Sequence, residues 1–202
     1  SKGNVWAGAS TSKSSDLGLV KIDPDMNITP YYYSEEIPIQ DIAAIAEDEY
    51  GRLIFGGSAG LTILDGEDFT NYDYADGVGS GAVRAILVEG KNMWIGTQIG
   101  LVYYNGKKFR TYHYMDGLPA NTINKIVKSP KGEIWIATQN GISIYDGMSF
   151  KNISFLKGLC LGGVAYTIGF IMDITISKKS FNDIIANIPL LYQQKLEVSL
   201  PT

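Results

Sequence analysis

Apolar residues recur in this chain with the two-residue period of strands, and the strands themselves recur at a longer interval. Trp94-Ile95-Gly96-Thr97-Gln98 returns 41 residues later as Trp135-Ile136-Ala137-Thr138-Gln139. A worn copy, Ile54-Phe55-Gly56-Gly57-Ser58, stands 40 residues before the first, and Val5-Trp6-Ala7-Gly8 reads as a fourth. Gly18, Gly60, Gly100 and Gly141 follow the phrases at steps of 42, 40 and 41 residues. An apolar pair precedes each of the last three: Ile42 and Ile45, Val83 and Ile86, Ile123 and Ile126. After each comes a turn and an aromatic residue: Asp65-Gly66 with Phe69, Asn105-Gly106 with Phe109, Asp146-Gly147 with Phe150. Such a period specifies an architecture rather than a single element.

One unit resolves into four strands, roughly 122–128, 133–138, 141–145 and 150–155. Asp-Gly and Asn-Gly suit tight hairpins because both residues tolerate left-handed dihedrals. Four antiparallel strands in about 40 residues with short connections describe a β-propeller blade. The fold class expected is therefore all-β, a partial or small propeller of four-stranded blades. Trp94 and Trp135 alternate with Ile95 and Ile136, so the two side-chain types face opposite sides of a strand. Since a blade is stacked between neighbours, both faces need apolar cover, and the tryptophans read as inter-blade packing. Gly96 and its equivalents permit close backbone approach.

Residues 1–157 thus form blades, the first lacking its innermost strand and carrying a polar insertion over Ser10–Asp16. Residues 158–202 do not obey the repeat. The uncharged run from Gly158 to Met172 is 15 residues, short of the roughly 20 a spanning helix needs. It reads as a strand pair or a degenerate blade, with a membrane segment and a divergent terminus as the other readings. Phe181, Ile184, Ile185 and Ile188 have helical spacing, so one short helix is expected over 181–195, interrupted by Pro189. Leu196–Leu200 alternates as a strand that could supply the first blade's missing one. Ser1-Lys2-Gly3-Asn4 runs straight into repeat sequence, which reads as the cut edge of a longer chain or the start of a mature fragment.

Composition narrows the chemistry. A net charge of −4 with no block of either sign argues against a nucleic-acid surface. The one histidine, His113, and the one cysteine, Cys160, are too few for a His-based zinc site or a Cys-His pair. Asp23-Pro24-Asp25-Met26-Asn27 lacks the rest of a calcium loop and reads as a turn. Glu47, Asp48 and Glu49 precede Gly51 in a hairpin connection and are expected to face solvent. Gly77-Val78-Gly79-Ser80-Gly81 precedes a strand and lacks a following lysine, so it reads as a flexible crossing rather than a phosphate cradle. No catalytic residue, metal site or cofactor is expected.

Trp94-Ile95-Gly96-Thr97, Gly100-Leu101, Tyr104-Asn105-Gly106, Phe109, Tyr112 and Asp116-Gly117-Leu118-Pro119-Ala120-Asn121 closely resemble the regulator-propeller repeat of bacterial two-component sensors. Trp135-Ile136-Ala137-Thr138, Gly141-Ile142 and Tyr145-Asp146-Gly147 continue the resemblance, which covers residues 4–155. It implies a periplasmic or extracellular sensing domain of a hybrid histidine kinase, with carbohydrate breakdown products as one ligand class. Propellers of this kind usually close with seven blades. The chain is then an excised portion, a ring completed by another copy, or an unusually small closed one.

Propeller geometry places a ligand where loops and innermost strands meet around the channel. Arg84 and Asn124 share one repeat position, with Ala43 as their equivalent, so the site would be asymmetric. Tyr72 and Tyr112 recur near the blade crossings and could stack on a sugar. The expected partners are an oligosaccharide or other small ligand, and further blades or a second copy of the chain. An interaction scaffold without a small ligand is the second reading. A propeller-type polysaccharide lyase or hydrolase, which needs two or more acids converging with Arg84 or a tyrosine near the channel, is the third.

Overall fold

The computed structural model describes residues 3–8, 17–32, 34, 41–58, 60–79 and 81–154. The first sheet has three strands, β1 (Val5–Gly8), β2 (Leu17–Ile22) and β3 (Ile28–Tyr32). The second is β4 (Ala44–Glu47), β5 (Leu53–Gly57), β6 (Gly60–Asp65) and β7 (Asp68–Tyr72). The third is β8 (Val83–Glu89), β9 (Asn92–Thr97), β10 (Leu101–Tyr104) and β11 (Phe109–Tyr112). The fourth is β12 (Ile123–Lys128), β13 (Ile134–Thr138), β14 (Gly141–Tyr145) and β15 (Phe150–Ser154). Each sheet is an antiparallel meander, and one 3-10 turn, Tyr114–Asp116, interrupts the strands. The all-β reading and the four-stranded blade both hold. The insertion over 10–16, the run from 158 to 172, the helix over 181–195 and the closing strand 196–200 lie outside the described residues.

Every letter of the repeated phrase has a physical job. Trp94 pairs across the sheet with Tyr103, and its ring lies 5.2 Å from that of Tyr145 in the fourth blade. Ile95 points the other way, into the apolar layer shared with Ile54, Leu61 and Val83. A Cβ at Gly96 would come within 2.7 Å of Ile123 Cγ2, and one at Gly56 within 2.3 Å of Val83 Cγ1. At Gly8 the corresponding obstacle is Ile42, 2.5 Å from such a Cβ. Glycine stands where the first strand of the next blade presses closest.

The threonine closes the hairpin. Thr97 Oγ1 donates to the Gly100 carbonyl at 2.9 Å and accepts from the amides of Ile99 and Gly100 at 3.2 and 3.1 Å. Thr138 repeats this, donating to the Gly141 carbonyl at 2.8 Å. Thr97 has no exposed surface, so Thr97→Val would strand polar groups away from water. The substitution is expected to cost about 1–3 kcal/mol in urea unfolding, with Thr97→Ser keeping most of the stability.

The blade crossings are built the same way twice. After β11, Asp116 Oδ2 accepts the His113 amide at 2.8 Å, and Asn121 Oδ1 accepts that of Tyr114 at 2.8 Å. Gly117 takes a positive φ of 107° and drops Leu118 into the core. After β7, Asp76 Oδ2 accepts the Asp73 amide at 3.0 Å, Gly77 has φ 103°, and Val78 is fully buried. This part of the expected flexible crossing is an anchor.

Candidate functional site

The first strands of the blades converge: β8 packs against both β4 and β12. They form the inner edge of the stack, and their starting ends make a rim. At that rim β8 and β12 each contain an irregularity. Val83 faces Thr97 while Ala85 faces Gly96, so Arg84 is an extra residue. Ile123 faces Thr138 while Lys125 faces Ala137, which leaves Asn124 in the same position. Such a bulge re-aims a side chain and ends regular pairing. Arg84 is exposed and Asn124 half-buried, and Ala43, whose amide donates to the Gly56 carbonyl at 2.9 Å, is their equivalent.

Exposed Gln98 and Gln139 follow the phrase threonines beside this rim. Thr122 ties them to it, donating its hydroxyl to the Gln98 carbonyl at 3.0 Å and accepting the Gln139 amide at 3.0 Å. One guanidinium, one carboxamide and two glutamine side chains suit a hydroxyl-rich or weakly anionic ligand.

The two tyrosines lie elsewhere. Tyr112 is buried between blades 3 and 4, its ring 5.3 Å from Phe150 and 6.2 Å from Trp94, with Arg110 above it at 4.7 Å. Burial pushes its phenol above the ordinary value. Its place is a packing place. Tyr72 reaches into the interface of blades 2 and 3, 6.2 Å from Tyr104 and 5.5 Å from Phe109. Burial and the Tyr72 hydroxyl push the Tyr104 phenol up as well. Arg84 and Asn124 are therefore brought to one rim, and neither tyrosine belongs to it.

His113 follows β11, and its Nδ1 lies 2.8 Å from the Ile99 carbonyl oxygen, which pins the crossing to the β9–β10 turn. Asp23 shapes the β2–β3 turn, accepting the amides of Asp25 and Asn27 at 3.0 and 2.8 Å. The Asn27 side chain, donating to its other oxygen, holds its carboxyl below the usual range. Among the described residues no three metal-binding side chains gather.

Asp48 departs from its expected place in solvent. It is 8% exposed, and its Oδ1 accepts the amides of Tyr50 and Arg52 at 3.0 and 2.9 Å. Its Oδ2 meets Arg52 Nε at 2.7 Å and holds the guanidinium above its ordinary value. Ser129 fills the same place in blade 4, its Oγ accepting the amides of Lys131 and Glu133 at 3.2 Å each. The acid locks a turn. Sequence reasoning also missed the lining that Arg52, Lys91 and Tyr104 give to the space beside Tyr72. The signal for it was present, as Ile54 standing where other blades have tryptophan.

Comparison with known proteins agrees with this architecture. Residues 117–140 match the family model described as "Two component regulator propeller". No curated protein sequence matches the chain. Among solved structures, the extracellular domain of a hybrid two component system from B. thetaiotaomicron superposes with a TM-score of 0.65 at 24% identity. The alignment covers 78% of this chain and 22% of that one. Virginiamycin B lyase from Staphylococcus aureus gives 0.58 at 15% identity, covering 78% of this chain and 54% of the lyase. PorZ, a surface component of the type-IX secretion system of Porphyromonas gingivalis, gives 0.54 at 16%, covering 76% and 26%. The chain spans about a fifth of the first of these and about half of the second. Among the described residues no helix is long and apolar enough to cross a membrane. Residues 117–140 thus match a two-component regulator propeller repeat, and the antiparallel sheets around them share the fold of β-propeller blades.

Proposed function

We propose that the chain is part of an extracytoplasmic sensing domain of a two-component signalling protein, with its ligand taken at the inner rim by Arg84 and Asn124. The observation that carries this is the regulator-propeller repeat at 117–140, inside blades superposable on a two-component extracellular domain. In this reading the chain binds and does not catalyse, and further blades or another copy complete the ring. A carbohydrate fits the rim because its hydroxyls pair with guanidinium and carboxamide groups alike.

Calorimetric titration with a panel of neutral and acidic oligosaccharides tests it. Heat from at least one sugar is expected, with affinity falling about tenfold or more in an Arg84→Ala, Asn124→Ala double variant. Binding that survives the double variant would remove the rim from the proposal.

One observation favours the scaffold reading. Tyr74, Tyr114 and Met115 are exposed at successive crossings, an apolar edge that recurs from blade to blade. A kinase-side partner whose binding is lost in Tyr74→Ser, Tyr114→Ser, with no heat from any sugar, would decide for it. A lyase or hydrolase would need acids beside Arg84, where the equivalent positions are Ala43 and Asn124.

A further inference from the structure

The outer face of blade 4 is buried, although no described blade lies against it. Along β13 the side chains alternate: Ile134 and Ile136 join the layer shared with blade 3, and Trp135 turns the other way. Trp135, Val127 and Ile142 cluster on that far side, at 6%, 7% and 2% exposure. In the repeat they match Trp94, Leu87 and Leu101, the residues of blade 3 that blade 4 covers. The described strands packed against blade 4 are β8 and β9, both of blade 3 and on its opposite face.

A single chain reaches this burial, so a second copy is not what supplies it. The undescribed residues upstream, 1–2, 9–16, 33, 35–40, 59 and 80, belong by sequence to blades 1 and 2 and the crossing into blade 3. Residues 155–202 follow directly on β15, a stretch longer than the 41-residue step between phrases. They include the uncharged run from Gly158 to Met172, which suits an apolar face. Two details distinguish the cover from a fifth blade. Ile153, on the outermost strand, is 36% exposed, whereas its equivalent Tyr112 is 9% exposed beneath blade 4. Buried Ala137 carries a methyl group where Gly8, Gly56 and Gly96 leave room for Ile42, Val83 and Ile123 of the following blade. A first strand of that kind would collide with the methyl.

We propose that residues 155–202 of this chain lie over the inner three strands of blade 4 as a cap, and that the cap ends the array of blades at that edge. Its docking surface is Val127, Trp135, Ala137 and Ile142, with Ile144 at the margin. Stacked repeats need such a terminal element, because the last unit otherwise leaves its apolar face in water. The array is then open on one side only, at blade 1, where Val5, Ile28 and Tyr32 are exposed on the face turned away from blade 2. Further blades or a second copy that complete the ring join there. The cap is independent of what the rim at Arg84 and Asn124 binds.

The test places the photo-reactive residue p-benzoylphenylalanine in the full chain, at Trp135, Ile153 or Tyr32 in turn. Light and isotope-heavy chains are mixed, irradiated, and their cross-links mapped by peptide mass spectrometry. The probe at Trp135 is expected to link to peptides of 155–202 within its own chain, with no light–heavy pairs. The probe at Ile153 should link to those peptides in much lower yield, and the probe at Tyr32 should not reach them. Circular dichroism checks that each variant folds, and Ile144 takes the probe where the Trp135 variant does not. Absence of links from the Trp135 position to 155–202, or light–heavy pairs there, would overturn the proposal. Equal yields from Trp135 and Ile153 would do so too, by making the cover a full blade, and equal yields from Trp135 and Tyr32 by removing its preference for blade 4.

Discussion

Replacing Trp94 with alanine is expected to destabilise the protein by about 4 kcal/mol, within the range of about 3–5 kcal/mol for buried tryptophan and phenylalanine truncations. The side chain is 3% exposed and touches aromatic rings of both blades it joins: Tyr103 and Tyr112 in its own, Tyr145 in the next. Its Nε1 donates to Glu89 Oε2 at 3.0 Å, and Glu89 Oε1 meets Lys128 of the fourth blade at 2.6 Å. Truncation removes the ring contacts and the indole bond together. Trp94→Phe separates them, keeping ring burial and losing the bond, at a cost of about 1–2 kcal/mol. A folded domain has a margin of about 5–15 kcal/mol, so the alanine variant spends a large part of it. Urea unfolding followed by far-ultraviolet circular dichroism measures both. A loss below about 1 kcal/mol in Trp94→Ala would mean that this layer does not hold blades 3 and 4 together.

The architecture was legible because the signals that repeat are those that pack. Trp94, Gly96, Thr97, Asp116 and Asn121 each act through a neighbour at a fixed offset, so their spacing alone carried strand order and crossing geometry. Arg84 and Asn124 were found as variable residues at one repeat position, and the bulge explains why that position turns out of the sheet. Asp48 was misplaced because its burial depends on a turn whose amides converge on the carboxylate, and nothing in three adjacent acids announces that. Tyr72 and Tyr112 have the same spacing and different surroundings, since blade 2 offers Ile54 where blade 3 offers Trp94. The substitution was visible in the chain. Its consequence required knowing that residues 54, 63 and 104 meet across two blades.

Gly56→Ala is expected to cost about 2–3 kcal/mol although alanine suits a strand better than glycine does. The backbone at Gly56 is not in the left-handed region, so a side chain is permitted there conformationally. Relief of glycine's entropy would by itself stabilise the variant by roughly 0.5–1 kcal/mol. Against that, the new Cβ would lie 2.3 Å from Val83 Cγ1 and 2.9 Å from Val83 Cβ. The second distance decides the sign. A rotamer change moves a Cγ away, but Cβ moves only with the backbone of β8, the strand that carries Arg84 and the inner rim. Overpacking of this kind costs about 1–3 kcal/mol, occasionally more, and a backbone-level clash belongs at the upper end. Val83→Ala removes Cγ1 and gives β8 room to shift, so the double variant should be more stable than the sum of the single losses, with a coupling of about 1–2 kcal/mol. If Gly56→Ala is neutral, blade 3 does not press on blade 2 as described; additive losses would place the strain somewhere other than Val83. Ala137 occupies the corresponding position in the fourth blade and is buried there. The strand itself therefore accepts a methyl group, and the first strand of the neighbouring blade sets the limit at Gly56.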